Sequence, residues 1–123
     1  MDLFTLLPCP SHEGLQVLSR AGKWIRLRPP EGCIIVNVGD YMQRLTNDVL
    51  PSTTHRVTTP TGEQAGLART STPIAIYLRE HETLSVLPGL GEPKYNDIEV
   101  IDFHTSVMGK YYGKKYREEN GED

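Results

Sequence analysis

His55, which opens the short strand-like run His55-Arg56-Val57, and the pair Arg69 and Ser71 are the side chains that could ligate a metal or bind an anion. A neutral imidazole offers a ring-nitrogen lone pair to a metal ion, or a proton to a reacting group. Residues two apart on a strand project from one face. A strand over Leu67 to Arg69 that continues through Ser71 therefore points the guanidinium and the hydroxyl the same way. A planar fork of N–H donors beside a hydroxyl suits a carboxylate, which accepts two hydrogen bonds from arginine and one from serine. Each such charge-assisted bond is worth roughly 1.5–3 kcal/mol. Spacing alone also allows plainer roles, a half-buried hydrogen-bonded histidine and a solvated or ion-paired arginine.

The segments that carry these groups are short. Leu3 to Leu7 is rich in strand formers and stops at Pro8 and Pro10, and Ser11 to Gly14 reads as a turn. Gly14 to Leu18 alternates apolar and polar residues at period two. A Gly-containing hairpin loop, Ser19 to Lys23, leads to a third strand, Trp24 to Arg28, ended by Pro29 and Pro30. Cys33 to Val38 is a β-branched run expected to be buried on both faces. After Gly39, one helical turn over Tyr41 to Leu45 is expected with Asp40 as its N-cap, because Asp accepts free amide hydrogens at a helix start. His55 to Val57, Leu67 to Arg69, Ile74 to Leu78 and Leu84 to Leu87 complete the strands.

The period then changes. Phe103, Val107, Tyr111 and Tyr112 recur at helical spacing, giving a C-terminal helix over roughly 102–117 with Asp102 as N-cap, followed by a charged, frayed 118–123. Six or seven short strands with regular turn signals and one terminal helix predict an all-β sandwich or barrel.

Composition sets the outer bounds. At 123 residues with 37% hydrophobic content the chain can build one core, so one domain is expected, its core over roughly 3–88. Thirteen basic against 16 acidic residues, net −3, argue for neither a nucleic-acid partner nor an anionic membrane. No apolar run approaches the roughly 20 residues that span a bilayer, and no secretory leader pattern opens the chain, so a cytoplasmic protein is expected. Cys9 and Cys33 lack C-x-x-C spacing and read as buried or half-buried free thiols. The strand-like start at M-D-L-F-T-L-L, without a lead-in, suggests a fragment whose upstream half is missing.

The string N-V-G-D-Y-M-x-x-L-T-N-x-x-x-x-S-T-x-H-R-V, from Asn37 to Val57, followed by R-T-S-x-P from Arg69, resembles the C-terminal half of the non-haem Fe(II) and 2-oxoglutarate-dependent dioxygenases, in the branch that includes isopenicillin N synthase. Thr5 to Leu7, Gly14 to Val17 and Trp24 to Pro29 extend the similarity over nearly the whole chain, 1–123. The resemblance implies a double-stranded β-helix, or jelly roll, here incomplete, with iron held inside by two histidines and one carboxylate. It implies His55 as the distal iron ligand, and Arg69 and Ser71 as the site for the far carboxylate of 2-oxoglutarate. Asn37, Asp40 and Asn47 are implied to shape the turn before the ligand strand, and Tyr41 to be core.

The implied chemistry is iron-dependent oxygen activation, coupled to decarboxylation of 2-oxoglutarate and oxidation of a small organic substrate. The family's H-x-D motif supplies the other two ligands, and its aspartate would fall five positions before Thr5, ahead of Met1. Asp2 is three before, two positions and so about 6.6 Å along a strand from the aligned place, too far to serve as the aligned ligand. His12, His81 and His104 match no ligand position and read as surface or structural. Two expectations follow: an oxygenase segment whose missing half, or a second chain, completes the site, or a non-catalytic jelly-roll remnant that keeps a carboxylate or interaction site. A complete small cupin is a weaker third.

Overall fold

A computed structural model describes residues 1–8 and 14–113, apart from the Gln64 side chain. The expectations for Cys9, Pro10, Ser11, His12 and everything beyond Gly113 lie outside the described residues.

Two three-stranded antiparallel sheets carry most of the strands. In the first, β1 (Phe4–Pro8) is central, with β4 (Ile34–Val38) on one side and β6 (Ile74–Ile76) on the other. Thr5 pairs with Asn37 and with Ala75, and Leu6 with Val36 and Ile74. In the second, β2 (Leu15–Leu18) lies between β3 (Trp24–Arg26) and β5 (His55–Val57), with Val17 opposite His55 and Leu15 opposite Val57. A small ribbon of β7 (Thr83–Leu84) and β8 (Ile98–Glu99), with two helices α1 (Asp40–Leu45) and α2 (Val100–Tyr112), packs beside them. This is the jelly-roll plan implied by the resemblance, with three strands described on each side.

The best-buried apolar side chains do not lie between the sheets. Tyr41 and Leu84 are closed off from solvent, and with Val100 they gather Leu3, Leu45 and Phe103 where α1, α2 and β7 meet. Tyr41 is in the core as expected, and its ring meets Phe103 at 5.9 Å in a tilted arrangement. Burial raises its hydroxyl pKa, with smaller contributions from Tyr77, Asp2 and Asp40.

Several expectations are corrected. The β4 run is not buried on both faces: Ile34 and Val36 are 56% and 55% exposed, because no element of the described chain covers the outer side of this sheet. Leu67 to Arg69 forms no strand; a 3-10 turn over Gly62–Gly66 runs into irregular chain up to β6. Gly39, extended at φ −92°, ψ 173°, is the N-cap of α1, and Asp40 sits in the first turn without a side-chain cap bond. α2 starts two residues before the expected cap Asp102, with Glu99 as N-cap, and ends at Gly113 with φ 79°. Tyr111 and Tyr112 are exposed, and Thr105 and Gly109 lie on its buried face instead. Cys33 is exposed.

The link from α1 to β5 is held by polar side chains. Asn47 and Asp48 both adopt left-handed backbone, φ 53° and 69°, which Asn and Asp tolerate better than most residues. The buried Asn47 amide donates to the carbonyls of Leu90 and Glu92 at 2.8 and 2.9 Å and accepts from the Lys94 N–H at 2.9 Å, fastening the 90–94 loop. Gln43 donates to Asp48 at 2.9 Å and accepts from the Ser52 N–H at 2.6 Å, fixing the chain three residues before His55. Arg56, beside His55 in sequence but facing outward, lies 4.0 Å over the Trp24 ring and donates to Gln16 at 2.9 Å, which clamps β5 onto its sheet.

Gly39 tests the junction of sheet and core. A Cβ there would penetrate the Asp2 carboxylate and the Asp2 carbonyl, so Gly39→Ala should destabilise the fold by about 2 kcal/mol or more. Gly66→Ala, where a Cβ meets nothing within 4 Å, should cost far less; urea titration of the two variants checks the contrast. Asp48 gives a pH test. Hydrogen bonds from Tyr95, then Lys94 and Gln43, lower its carboxyl from 3.8 to about 2. Its stabilising effect is therefore full above 3.8 and lost as pH falls through about 2. Asp48→Asn should flatten the loss of stability across that window, as followed by acid titration at fixed urea.

Candidate functional site

Alternation along the strands turns a defined set of side chains into the space between the sheets. Thr5 and Leu7 of β1 and Asn37 of β4 face inward from the first sheet. Leu15 of β2 and His55 and Val57 of β5 face them from the second. The irregular segment before β6 closes one side with Arg69, Ser71 and Pro73. Together these nine residues line a hollow of about 190 Å³. The expected histidine, arginine and serine thus converge, although Arg69 and Ser71 arrive on a loop rather than a strand.

His55 is exposed to the hollow, and its Nδ1 lies 3.1 Å from the Thr53 carbonyl oxygen. A carbonyl only accepts, so Nδ1 carries the proton in this hydrogen bond and Nε2 keeps its lone pair. An imidazole fixed in this way is prepared to ligate a metal through Nε2. Among the described residues, neither the Arg69 guanidinium nor the Ser71 hydroxyl has a hydrogen-bond or ion-pair partner. Both therefore present their donors to the hollow, and Leu7, Leu15, Val57 and Pro73 supply its apolar wall.

Asp2 does not join them. It is buried, its carboxylate accepts the Thr5 hydroxyl, and its carbonyl accepts the Tyr41 N–H at 3.2 Å. That makes it a lock between β1 and α1. Among the described residues no three His, Cys, Asp or Glu side chains group as a metal site. His81 is on an exposed turn, and His104 on α2 meets the Tyr41 hydroxyl at 3.4 Å, both away from the hollow. Asn37 is the inward group whose position the sequence reading misses. It is the one polar residue within the apolar run of β4, a signal present in the sequence, but its pairing opposite Thr5 needs the sheet register.

The model of the 2OG-Fe(II) oxygenase superfamily matches residues 2–76, more than half of the chain. The chain belongs to this superfamily. It is 40% identical over 114 residues to the 2-oxoglutarate-Fe(II) type oxidoreductase ppzC of Metarhizium majus, a match covering 89% of this chain and 29% of that protein. It is 35% identical over 115 residues to the 2-oxoglutarate-Fe(II) type oxidoreductase hxnY of Emericella nidulans, covering 89% and 32%. Among solved structures, a putative 2OG-Fe(II) oxygenase family protein from Caulobacter crescentus superposes with a TM-score of 0.78 at 33% identity, over 90% of this chain and 38% of that one. A full-length Neurospora crassa protein, solved in complex with alpha-KG, gives 0.76 at 30% identity, over 88% and 35%. The chain thus spans about a third of the length of these relatives. The jelly-roll fold and the family's Fe(II) and 2-oxoglutarate dependence are common ground among them.

Because Arg69 and Ser71 make no polar contact among the described residues, Arg69→Ala and Ser71→Ala should each leave the unfolding free energy within about 0.5 kcal/mol of the parent. A loss above about 1 kcal/mol in denaturant titration would assign them a structural role.

Proposed function

We propose that residues 1–123 form the C-terminal portion of the catalytic jelly roll of an Fe(II)- and 2-oxoglutarate-dependent dioxygenase of the isopenicillin N synthase-like branch, a cytoplasmic enzyme that oxidises a small organic substrate. The observation that carries this reading is the convergence of His55, Arg69 and Ser71 on one hollow. Iron, when bound, activates oxygen. His55 fits one position in its ligand set, because its Nδ1 proton is engaged and its Nε2 is open.

The chain's own residues do the binding work. The Arg69 fork donates two hydrogen bonds to the far carboxylate of 2-oxoglutarate and the Ser71 hydroxyl donates a third, orienting the oxo-acid end toward His55. Leu7 and Leu15, both buried, offer an apolar wall to the methylene carbons of the ligand. A non-catalytic carboxylate-binding module is the second reading. It is favoured by Asp2's engagement with Thr5 and by the single metal-binding imidazole among the described residues of the hollow.

Titration of the purified chain with 2-oxoglutarate, followed by saturation-transfer NMR, should detect binding that weakens at least tenfold in Arg69→Ala and about threefold to tenfold in Ser71→Ala. Unchanged binding in Arg69→Ala would contradict the carboxylate site. One imidazole holds iron weakly, so Fe(II) should bind the parent no tighter than His55→Ala, with no succinate formed. Stoichiometric iron and succinate would show that this chain carries a whole catalytic site.

A further inference from the structure

The outer face of the second sheet carries charge of one sign. In register, Gln16 of β2 lies between Arg26 of β3 and Arg56 of β5, and Leu18 lies beside Trp24 in the next row. His55 and Val57, which flank Arg56 in the chain, face the hollow, so by alternation the Arg26–Gln16–Arg56 row faces away from it. The hairpin loop between β2 and β3 adds Arg20 and Lys23 at the end of the same sheet. All four cations are exposed, and β2, β3, β5 and that hairpin loop contain no acidic residue.

Charges of one sign set close together on a sheet face repel and weaken the sheet. The Arg20, Lys23 and Arg26 side chains have no polar partner among the described residues. Arg56 is held by the Trp24 ring at 4.0 Å and by Gln16 at 2.9 Å, both uncharged. These four belong to a chain of 13 basic and 16 acidic residues, so the other nine basic residues stand with all 16 acidic ones elsewhere. That division selects the partner. A long nucleic acid or an anionic membrane reaches past the sheet to the acidic remainder and is repelled there. Trp24 is the one Phe, Tyr or Trp of these three strands and is already stacked under Arg56, so the face has no row of rings on which bases could stack. A short acidic protein segment stays within the sheet, and its carboxylates accept paired hydrogen bonds from the arginines.

We propose that the outer face of the β3–β2–β5 sheet docks an acidic segment of a partner protein, whose carboxylates are held by Arg20, Lys23, Arg26 and Arg56. The inference does not depend on iron or 2-oxoglutarate binding at the hollow, which the opposite face of this sheet lines.

The test titrates the 123-residue chain, isotope-labelled, with a synthetic peptide of about 12 residues alternating Glu and Thr, whose carboxylates project from one face about 6.6 Å apart when extended. The amide signals of Gln16, Trp24, Arg26 and Arg56 should shift. Binding should weaken at least tenfold in Arg26→Glu and in Lys23→Glu, both exposed sites whose side chains bond nothing among the described residues. Arg79→Glu, on the exposed turn before β7, changes the net charge equally and should bind the peptide as the parent does. The proposal is overturned if those amides do not shift, or if the two charge-reversed variants of the sheet bind equally well. Tighter binding at this face of a single-stranded oligonucleotide, or of vesicles containing phosphatidylserine, would also overturn it, by naming a nucleic acid or a membrane as the occupant. A dimer in sedimentation that Arg26→Glu abolishes would overturn it in favour of a second copy. A 2-oxoglutarate titration of the same samples reports on the hollow separately, so failure of one reading is distinguishable from failure of the other.

Discussion

Asp2, Gly39 and Tyr41 meet where no side chain fits on residue 39, and the rest of the arrangement hangs on that contact. The Gly39 N–H donates to the Leu3 carbonyl at 2.9 Å and the Tyr41 N–H to the Asp2 carbonyl at 3.2 Å, while the Asp2 carboxylate accepts the Thr5 hydroxyl. β1, the end of β4 and the start of α1 are therefore one unit. One side of it buries Tyr41 in the core and the other presents Thr5 and Asn37 to the hollow. The well-packed end is thus rigidly connected to a loosely filled space between the sheets, which suits a fold that holds its ligand away from its core.

Much of this is legible in the sequence, for identifiable reasons. Strands β1, β2, β3 and β5 show period-two or β-branched signals bounded by Pro and Gly, and local pattern suffices to find them. The family string from Asn37 to Val57 points to His55, and R-T-S-x-P to Arg69 and Ser71; the structure brings all three to one hollow. The segment carrying Arg69 reads as a strand because Leu67 and Ala68 are apolar, and apolarity alone does not separate a strand from an irregular segment. β8 escapes notice because two residues carry no period. Asp40 and Asp102 read as caps by residue type, but each lies within the first turn of its helix, one residue past Gly39 and three past Glu99. The β4 run looks doubly buried because a β-branched composition does not separate a strand covered on both faces from one covered on a single face, and the described chain covers only one.

A fixed imidazole, a guanidinium with no partner among the described residues and a hydroxyl converge on one space, and the histidine is held from outside it. Gln43 anchors Ser52 ahead of His55, Thr53 fixes the imidazole proton, and Arg56 stacked on Trp24 holds β5 in place. These contacts lie outside the hollow and leave the Arg69 and Ser71 side chains without a polar partner among the described residues. The superfamily works with iron and 2-oxoglutarate, and the relatives are chains about three times as long as the portion matched here.

The His55 imidazole and the Arg69 guanidinium share one ligand-sized space. An isotope-filtered nuclear Overhauser measurement on the labelled chain with unlabelled 2-oxoglutarate tests it directly. Cross-peaks are expected from the ligand methylene protons to both the Arg69 side-chain methylene protons and the His55 ring protons in the same complex. Cross-peaks to only one of the two residues, or to side chains on the outer faces of the sheets, would contradict it.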